Sequence, residues 1–171
     1  MNKKFELTNE SIDFADRKIY RIIALKNFGD VHIGDKGGFV EKEQNLSQDG
    51  ECWIYDDAKV IDDAKVIDNA QVRGKSVVAN HSIVSGEAYL EGKGIILMHN
   101  SLVTDFAVIL DDVVLYNHAI VRGRALLKQS ANVRDNAIIK EDAILDEYAS
   151  IQGDAVIGGN EHISGCKIIG L

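Results

Sequence analysis

Residues 58–90 read AKVIDDAKVIDNAQVRGKSVVANHSIVSGEAYL, and a six-residue pattern repeats along this whole stretch. A small residue opens each unit and an aliphatic residue follows two positions later, as in Ala58 and Val60. One extra residue near Gly92-Lys93-Gly94 shifts the frame, after which the pattern resumes. The first positions of the seventeen units are Ala58, Ala64, Ala70, Ser76, Ser82, Ala88, Ile95, Ser101, Ala107, Val113, Ala119, Ala125, Ala131, Ala137, Ala143, Ala149 and Ala155.

The pattern predicts short strands joined by tight turns. Alternate residues of a strand point to opposite sides, so the small residue and the aliphatic residue share one face, which we assign to the core. Turn dipeptides such as Asp62-Asp63, Asn80-His81 and Gly86-Glu87 separate the strands. These residue types tolerate the bent or left-handed backbone that a corner requires. We therefore predict an all-β chain.

The unit Val60-Ile61-Asp62-Asp63-Ala64-Lys65 resembles the hexapeptide repeat of the left-handed parallel β-helix superfamily. That resemblance implies three units per coil, and hence a left-handed parallel β-helix of about six coils. We expect residues 46–171 to form the helix and residues 1–45 to form an N-terminal capping segment. The superfamily also implies association into homotrimeric prisms.

The first third of the chain resembles a narrower group of uncharacterised β-helix proteins of phages and prophages, some labelled transferases or polymer-forming proteins. The resemblance lies in Lys18–Leu25, Gly34–Glu41 and Cys52–Tyr55, and it implies a phage context. The glycines of Gly34–Glu41 could form an anion-binding nest, but a tight turn before the first coil is the favoured interpretation. We expect Trp53 to pack beneath the N-terminal segment.

The formal net charge is -8, from 19 Lys and Arg against 27 Asp and Glu. Such a charge repels nucleic acid and anionic membranes, so neither is expected as a partner. There is no apolar run of membrane-spanning length, and a cytoplasmic protein is expected. Cys52 and Cys166 stand far apart without a Cys/His cluster, so no metal site and no cofactor are predicted.

Many members of the superfamily transfer acyl groups from coenzyme A with a histidine base. The weak catalytic candidates here are His81, His99 and His118, whose spacings place them at one corner of neighbouring coils. Corner residues are the favoured interpretation, because histidine is enriched in left-handed backbone conformations. The chain also lacks the extended loop and the proline-bearing C-terminal segment of these enzymes. Acyl transfer is therefore the alternative, and a non-catalytic role is favoured.

The outward positions predict contact between subunits, because a monomer would carry polar residues there. Two apolar ladders are expected on neighbouring sides of the prism. The predicted interface residues are Ile83, Leu102, Ile120 and Ile138 on one side, and Tyr89, Val108, Leu126 and Ile144 on the next.

Basic residues accompany these ladders in an otherwise acidic chain. The predicted ligand-binding residues are Arg73, Arg122, Lys128, Arg134 and Lys140. Ion pairing with neighbouring carboxylates is one interpretation. The other is a groove between subunits that captures a small anionic ligand, such as a nucleotide, or a host partner. The sequence thus predicts a homo-oligomeric scaffold or binding protein, with a coenzyme A-dependent acyltransferase as the alternative.

Overall fold

The computed structural model describes residues 3–170, so Met1, Asn2 and Leu171 of the two expected segments lie outside the described residues. Over this range the chain is built of strands, with one 3-10 turn at Glu43–Asn45 and no α-helix. The strands are β1 Phe5–Phe14, β2 Arg17–Ala24, β3 Lys36–Val40, β4 Trp53–Ile54, β5 Lys59–Val60, β6 Lys65–Val66, β7 Gln71–Gly74, β8 Val77–Val78, β9 Ile83–Val84, β10 Tyr89–Gly92, β11 Ile96–Leu97, β12 Leu102–Val103, β13 Val108–Leu110, β14 Val114–Leu115, β15 Ile120–Val121, β16 Leu126–Leu127, β17 Asn132–Val133, β18 Ile138–Ile139, β19 Ile144–Leu145, β20 Ser150–Ile151, β21 Val156–Ile157, β22 His162–Ile163 and β23 Ile168–Ile169. Among residues 3–170 there is no helix with the length and hydropathy that a membrane crossing requires.

Three sheets form the sides of a prism, and from β4 onward each successive strand of the chain moves to the next side. The six-stranded sheet has the order β21-β18-β15-β12-β9-β6 and the seven-stranded sheet the order β22-β19-β16-β13-β10-β7-β4. The third, which we call the long sheet, has the order β1-β2-β3-β5-β8-β11-β14-β17-β20-β23. Pairing from β3 onward is parallel. The predicted parallel β-helix is confirmed.

The coils number about seven rather than about six, since each coil adds one strand to the seven-stranded sheet. The repeat extends beyond the seventeen units at both ends, where β4 precedes Ala58 and β22 and β23 follow Ile157. The frame shift is visible in the register. Leu90 pairs with Val72, eighteen residues earlier, and with Ile109, nineteen residues later.

The core follows the repeat directly. The small residue and the aliphatic residue of the first sixteen units are fully buried, as Ala119 and Val121 illustrate at 0% exposure, whereas Ala155 of the last unit is half-buried. Each aliphatic side chain stacks on its equivalent one coil away, for example Val103 on Val121. Burial of one such side chain stabilises the fold by about 1.5–3 kcal/mol. The stability of the prism therefore comes from many side-chain contributions of similar size, distributed along its length.

The corners are capped by the first residue of each turn. Asp62, Asp105 and Asp135 all have positive φ angles of about 60°. Their carboxylates accept backbone N–H groups of the next coil, from Asn80 at 2.9 Å, Gly123 at 2.9 Å and Gly153 at 3.1 Å respectively. Short polar side chains thereby occupy a left-handed conformation and satisfy donors that the corner would leave unpaired.

The N-terminal segment covers the first coil. Strands β1, β2 and β3 are antiparallel to one another, and β3 then pairs in parallel with β5. Trp53 is 1% exposed and packs edge-on against Phe5 and Phe28, as expected from the sequence. The glycine at position 37 is needed for space, because a Cβ there would lie 2.6 Å from the Ile54 carbonyl oxygen.

A buried lysine fastens this segment to the helix. The Lys4 Nζ donates to the carbonyl oxygens of Asp49, Gly50 and Cys52 at 3.2, 3.3 and 3.0 Å, and it lies 3.2 Å from the Cys52 Sγ. Burial lowers the pKa of Lys4 and raises that of Cys52. Four acceptors around one ammonium explain why a lysine side chain can be fully buried here.

Candidate functional site

The first apolar ladder runs along the outer surface of the six-stranded sheet. Leu102 pairs in register with Ile83 and Ile120, and Ile138 pairs with Ile120 and Val156. The first four residues are half-buried by their neighbours in the ladder, whereas Val156 is 54% exposed. The structure thus aligns every predicted interface residue of this side, and an apolar strip faces outward over five coils.

The second ladder runs along the seven-stranded sheet. Val108 pairs with Tyr89 and Leu126, and Ile144 continues the row after Leu126. All four side chains are half-buried. The next position in the row is His162, so this ladder ends in a polar group.

A third ladder, on the long sheet, is absent from the sequence-based prediction. Val77, Ile96 and Val114 pair in register and are half-buried. Its continuation is polar, at Asn132 and Ser150. Because the apolar part is short and is interrupted, it gave little signal in the sequence.

Arg73 is held within the molecule. Its guanidinium lies 3.6 Å from the ring centroid of Tyr55 and 3.0 Å from the Asp30 carboxylate. The Tyr55 hydroxyl donates a hydrogen bond to the same carboxylate. Burial together with this hydrogen bond raises the pKa of Tyr55. This arrangement ties the 25–35 loop to the seven-stranded sheet, so Arg73 has a structural partner for its charge.

Two more of the basic residues also have partners on the same chain. Arg134 lies on the long sheet side and donates to the Gln152 side chain. Lys128 lies 3.9 Å from the Asp146 carboxylate on the seven-stranded side. The five predicted ligand-binding residues therefore do not converge on one point of the subunit.

Arg122 and Lys140 are the pair that the coil brings together. They occupy equivalent positions on neighbouring coils, just after the outward residues of β15 and β18. Lys140 lies 3.2 Å from Glu141, and Arg122 is exposed. Together with Asp105, Gly123 and Glu141 they line a depression of about 210 Å³.

A second depression, of about 420 Å³, lies at the same corner. It is lined by Asp105, Phe106, Gly123, Arg124, Glu141 and Asp142. The two depressions share the residues Asp105, Gly123 and Glu141, so they form one continuous feature, which we call the corner groove. Phe106 is 61% exposed in its wall. Arg124 makes two bonds to Asp142, at 2.6 and 2.9 Å, and is fixed in place.

The histidine candidates lie at the corner between the long sheet and the six-stranded sheet, but they do not form a cluster. His81 lies 3.5 Å from Asp63, and the His118 Nε2 lies 3.3 Å from the Asn100 amide nitrogen. His99 occupies the other turn position, with φ at 63°, and its ring packs edge-on against Tyr116.

A fourth histidine, outside the predicted set, has a carboxylate partner. His162 Nε2 lies 3.0 Å from the Oδ2 of Asp146, whose side chain is 10% exposed. Burial alone would raise the pKa of Asp146, but the hydrogen bond from His162 and the charge of Lys128 lower it. Among the atoms that the structure describes, the Oδ1 of Asp146 is buried without a hydrogen-bond partner. A carboxylate in this position can orient an imidazole for proton transfer.

Among residues 3–170, no group of three or more His, Cys, Asp and Glu side chains has an arrangement suited to a metal ion. The Asp146–His162 pair has the geometry of an acid-base pair, because a carboxylate 3.0 Å from an imidazole nitrogen can orient the ring.

No protein-family model matches the chain. A curated relative from Escherichia coli (strain K12), described as "Uncharacterized acetyltransferase YdcK", is 33% identical over 66 residues. The match covers 34% of this chain and 20% of the relative, so only about a fifth of that protein's length is spanned. A similarity to a protein of that description fits the hexapeptide-repeat superfamily, many of whose members transfer acyl groups. The resemblance to phage proteins stays a prediction.

Proposed function

We propose that the protein is a homo-oligomeric, non-catalytic β-helix that binds a small anionic ligand beside its subunit contacts. The observation that carries this proposal is the apolar ladder Ile83, Leu102, Ile120, Ile138 and Val156 on the outside of the six-stranded sheet. An outer face in water is normally polar, and a continuous apolar strip is typical of an interface. The proposal takes the oligomer to be a cytoplasmic trimer that acts in a phage context.

The position of the corner groove supports the ligand-binding part. Arg122 and Lys140 follow Ile120 and Ile138 by two residues, so the groove borders the ladder. A second subunit packed on the ladder would narrow the groove and exclude water from it. Electrostatic attraction between an anion and a guanidinium strengthens as water is excluded.

Light scattering coupled to gel filtration tests the assembly. The wild-type chain is expected to elute as a defined oligomer, and Ile120→Asp is expected to elute as a folded monomer because it places a charge in the interface. Asn132→Asp on the long sheet is the matched control, since that outward position is already polar. A monomeric wild type would contradict the proposal, as would an Ile120→Asp variant that keeps its oligomeric state.

A second candidate function is acyl transfer from coenzyme A. The Asp146–His162 pair favours it, because a base oriented by a carboxylate is what transfer to a hydroxyl or amine requires. The description of the Escherichia coli relative points the same way. Release of free coenzyme A from acetyl-coenzyme A, measured with a thiol reagent against a panel of small amines and alcohols, tests it. Activity that is lost in His162→Gln but kept in His81→Gln would support this function over the first.

A further inference from the structure

We propose that the corner groove binds a mononucleotide, with the base stacked on Phe106 and the phosphate held by Arg122 and Lys140. The inference rests on the proposed function, because it specifies the anionic ligand of the same oligomer. It is carried by three observations: an exposed aromatic ring, two cations on neighbouring coils, and a continuous depression that joins them.

The aromatic ring of Phe106 is exposed at a turn position where the neighbouring coils have charged residues. Phe106 is the second residue of a turn, where the preceding coil has Glu87 and the next coil has Arg124. A polar residue would be sufficient there, yet the ring stands 61% exposed in the wall of the groove. A flat apolar side chain exposed to water is suited to stacking against a base, since every base presents a π face.

The cations lie at the other side of the same groove. Arg122 has no ion pair or side-chain hydrogen bond among residues 3–170, and Lys140 pairs only with the adjacent Glu141. A phosphate can bind between two such side chains on successive coils, where a guanidinium offers two parallel donors to its oxygens. The nearby Arg124 is already bound to Asp142 and therefore fixes the wall of the groove.

The groove also contains an acceptor for sugar hydroxyls. Asp105 uses its Oδ2 to accept the Gly123 amide at 2.9 Å, which orients the carboxylate in the wall that both depressions share. A carboxylate between a stacking ring and a phosphate-binding pair suits a ribose better than a simple aryl phosphate. The net charge of -8 disfavours a long nucleic acid, which would need many more basic contacts.

Isothermal titration with AMP, adenosine and ribose 5-phosphate tests the inference on the full chain. AMP is expected to bind at least about tenfold more tightly than either fragment, since stacking and phosphate contacts contribute separately. Phe106→Ala should weaken AMP about tenfold without changing ribose 5-phosphate, and Arg122→Glu should weaken AMP and ribose 5-phosphate without changing adenosine. Tyr148→Ala and Lys75→Glu, both at the corner between the seven-stranded sheet and the long sheet, are the controls and should bind as the wild type does.

The outcomes separate this inference from the proposed assembly. An oligomer that binds no AMP overturns the inference and leaves the assembly standing, whereas a monomer whose AMP binding depends on Phe106 and Arg122 supports the inference and contradicts the assembly. AMP binding that is unchanged in both variants overturns the site. Tighter binding of a fifteen-nucleotide oligo(rA) than of AMP would replace the mononucleotide with single-stranded RNA.

Discussion

The Asp135 carboxylate accepts the backbone N–H of Gly153, one coil further along, at 3.1 Å. Its second oxygen accepts from the Asn117 amide on the preceding coil at 3.0 Å. One side chain at a corner therefore links three successive coils. The same relation recurs between Asp62 and Asn80, so the acidic residues of the turns are structural parts of the stack.

Replacing Asp135 tests this linkage. Asp135→Ala removes the acceptor and leaves alanine at a φ of 62°, a left-handed conformation that alanine tolerates less well than aspartate, and we expect a loss of about 2 kcal/mol in the free energy of unfolding. Asp135→Asn keeps an acceptor oxygen and tolerates the same backbone, so it should lose less than half as much. Urea unfolding followed by circular dichroism measures both. An Asp135→Ala variant that is as stable as the wild type would show that the side-chain bonds contribute nothing.

The same bonds predict acid sensitivity. The Gly153 amide lowers the pKa of Asp135, the Gly159 amide that of Glu141, and Arg124 that of Asp142. Because the folded pKa values lie below the unfolded ones, the unfolded chain takes up protons first as the pH falls. Their stabilisation is thus complete above about pH 5 and is lost as the pH drops through about 4 toward the folded values. Melting temperatures from pH 7 to pH 3 should follow that course, and a melting temperature that rises below pH 4 would contradict it.

Two corner glycines separate backbone strain from steric crowding. Gly74 and Gly165 both have positive φ angles, of 71° and 76°. A Cβ at position 74 would lie 2.3 Å from the Gly92 carbonyl oxygen, whereas at position 165 it would meet no atom of residues 3–170 within 4 Å. Gly165→Ala should therefore cost about 1 kcal/mol, and Gly74→Ala clearly more, because a neighbouring coil must also move. Thermal unfolding of the two variants makes the comparison. Equal losses in the free energy of unfolding would mean that the neighbouring coil can move away from the new Cβ at little cost.

The coil structure was predictable because the hexads determine which residues share a column. Once Ala119 and Val121 are assigned to the core, Ile120 must face outward, and the spacing of eighteen or nineteen residues aligns it with Leu102 and Ile138. The same spacing would have placed His162 after Ile144 in one row, beside Asp146. That signal was available, but it emerges only when the rows are continued past residue 157.

Contacts between the repeat and the segment that precedes it could not be predicted from the hexad spacing. Arg73 binds Asp30, which belongs to a segment without hexads, so no spacing relates the two residues. The corner groove has a different origin. It combines the second turn residue of one coil, Phe106, with the residue after the strand of the next, Arg122, and a linear pattern assigns these positions to different classes.

Lys4 should contribute to stability in spite of its buried charge. Lys4→Met keeps the length of the side chain but leaves three carbonyl oxygens without their donor, and we expect a loss of about 1–3 kcal/mol. Lys3→Met is the control, since Lys3 forms an exposed pair with Glu43 and should change stability by less than about 1 kcal/mol. Fluorescence of Trp53, which lies in the same covered coil, reports the unfolding of this end. A neutral Lys4→Met variant would mean that the carbonyl groups find other donors.

The stacking of Arg73 on Tyr55 predicts an energetic coupling that the exposed Arg122 of the corner groove should lack. The guanidinium lies 3.6 Å from the Tyr55 ring centroid and is further held by Asp30, so each member of the cluster orders the others. A double-mutant cycle with Tyr55→Leu and Arg73→Met should give a coupling of about 0.5–2 kcal/mol in the free energy of unfolding. Arg122→Met alone should leave stability unchanged within about 0.5 kcal/mol, because its side chain is exposed. A coupling free energy of zero would show that the Tyr55 ring does not stabilise the position of Arg73. Arg73 would then again be a candidate for binding a ligand.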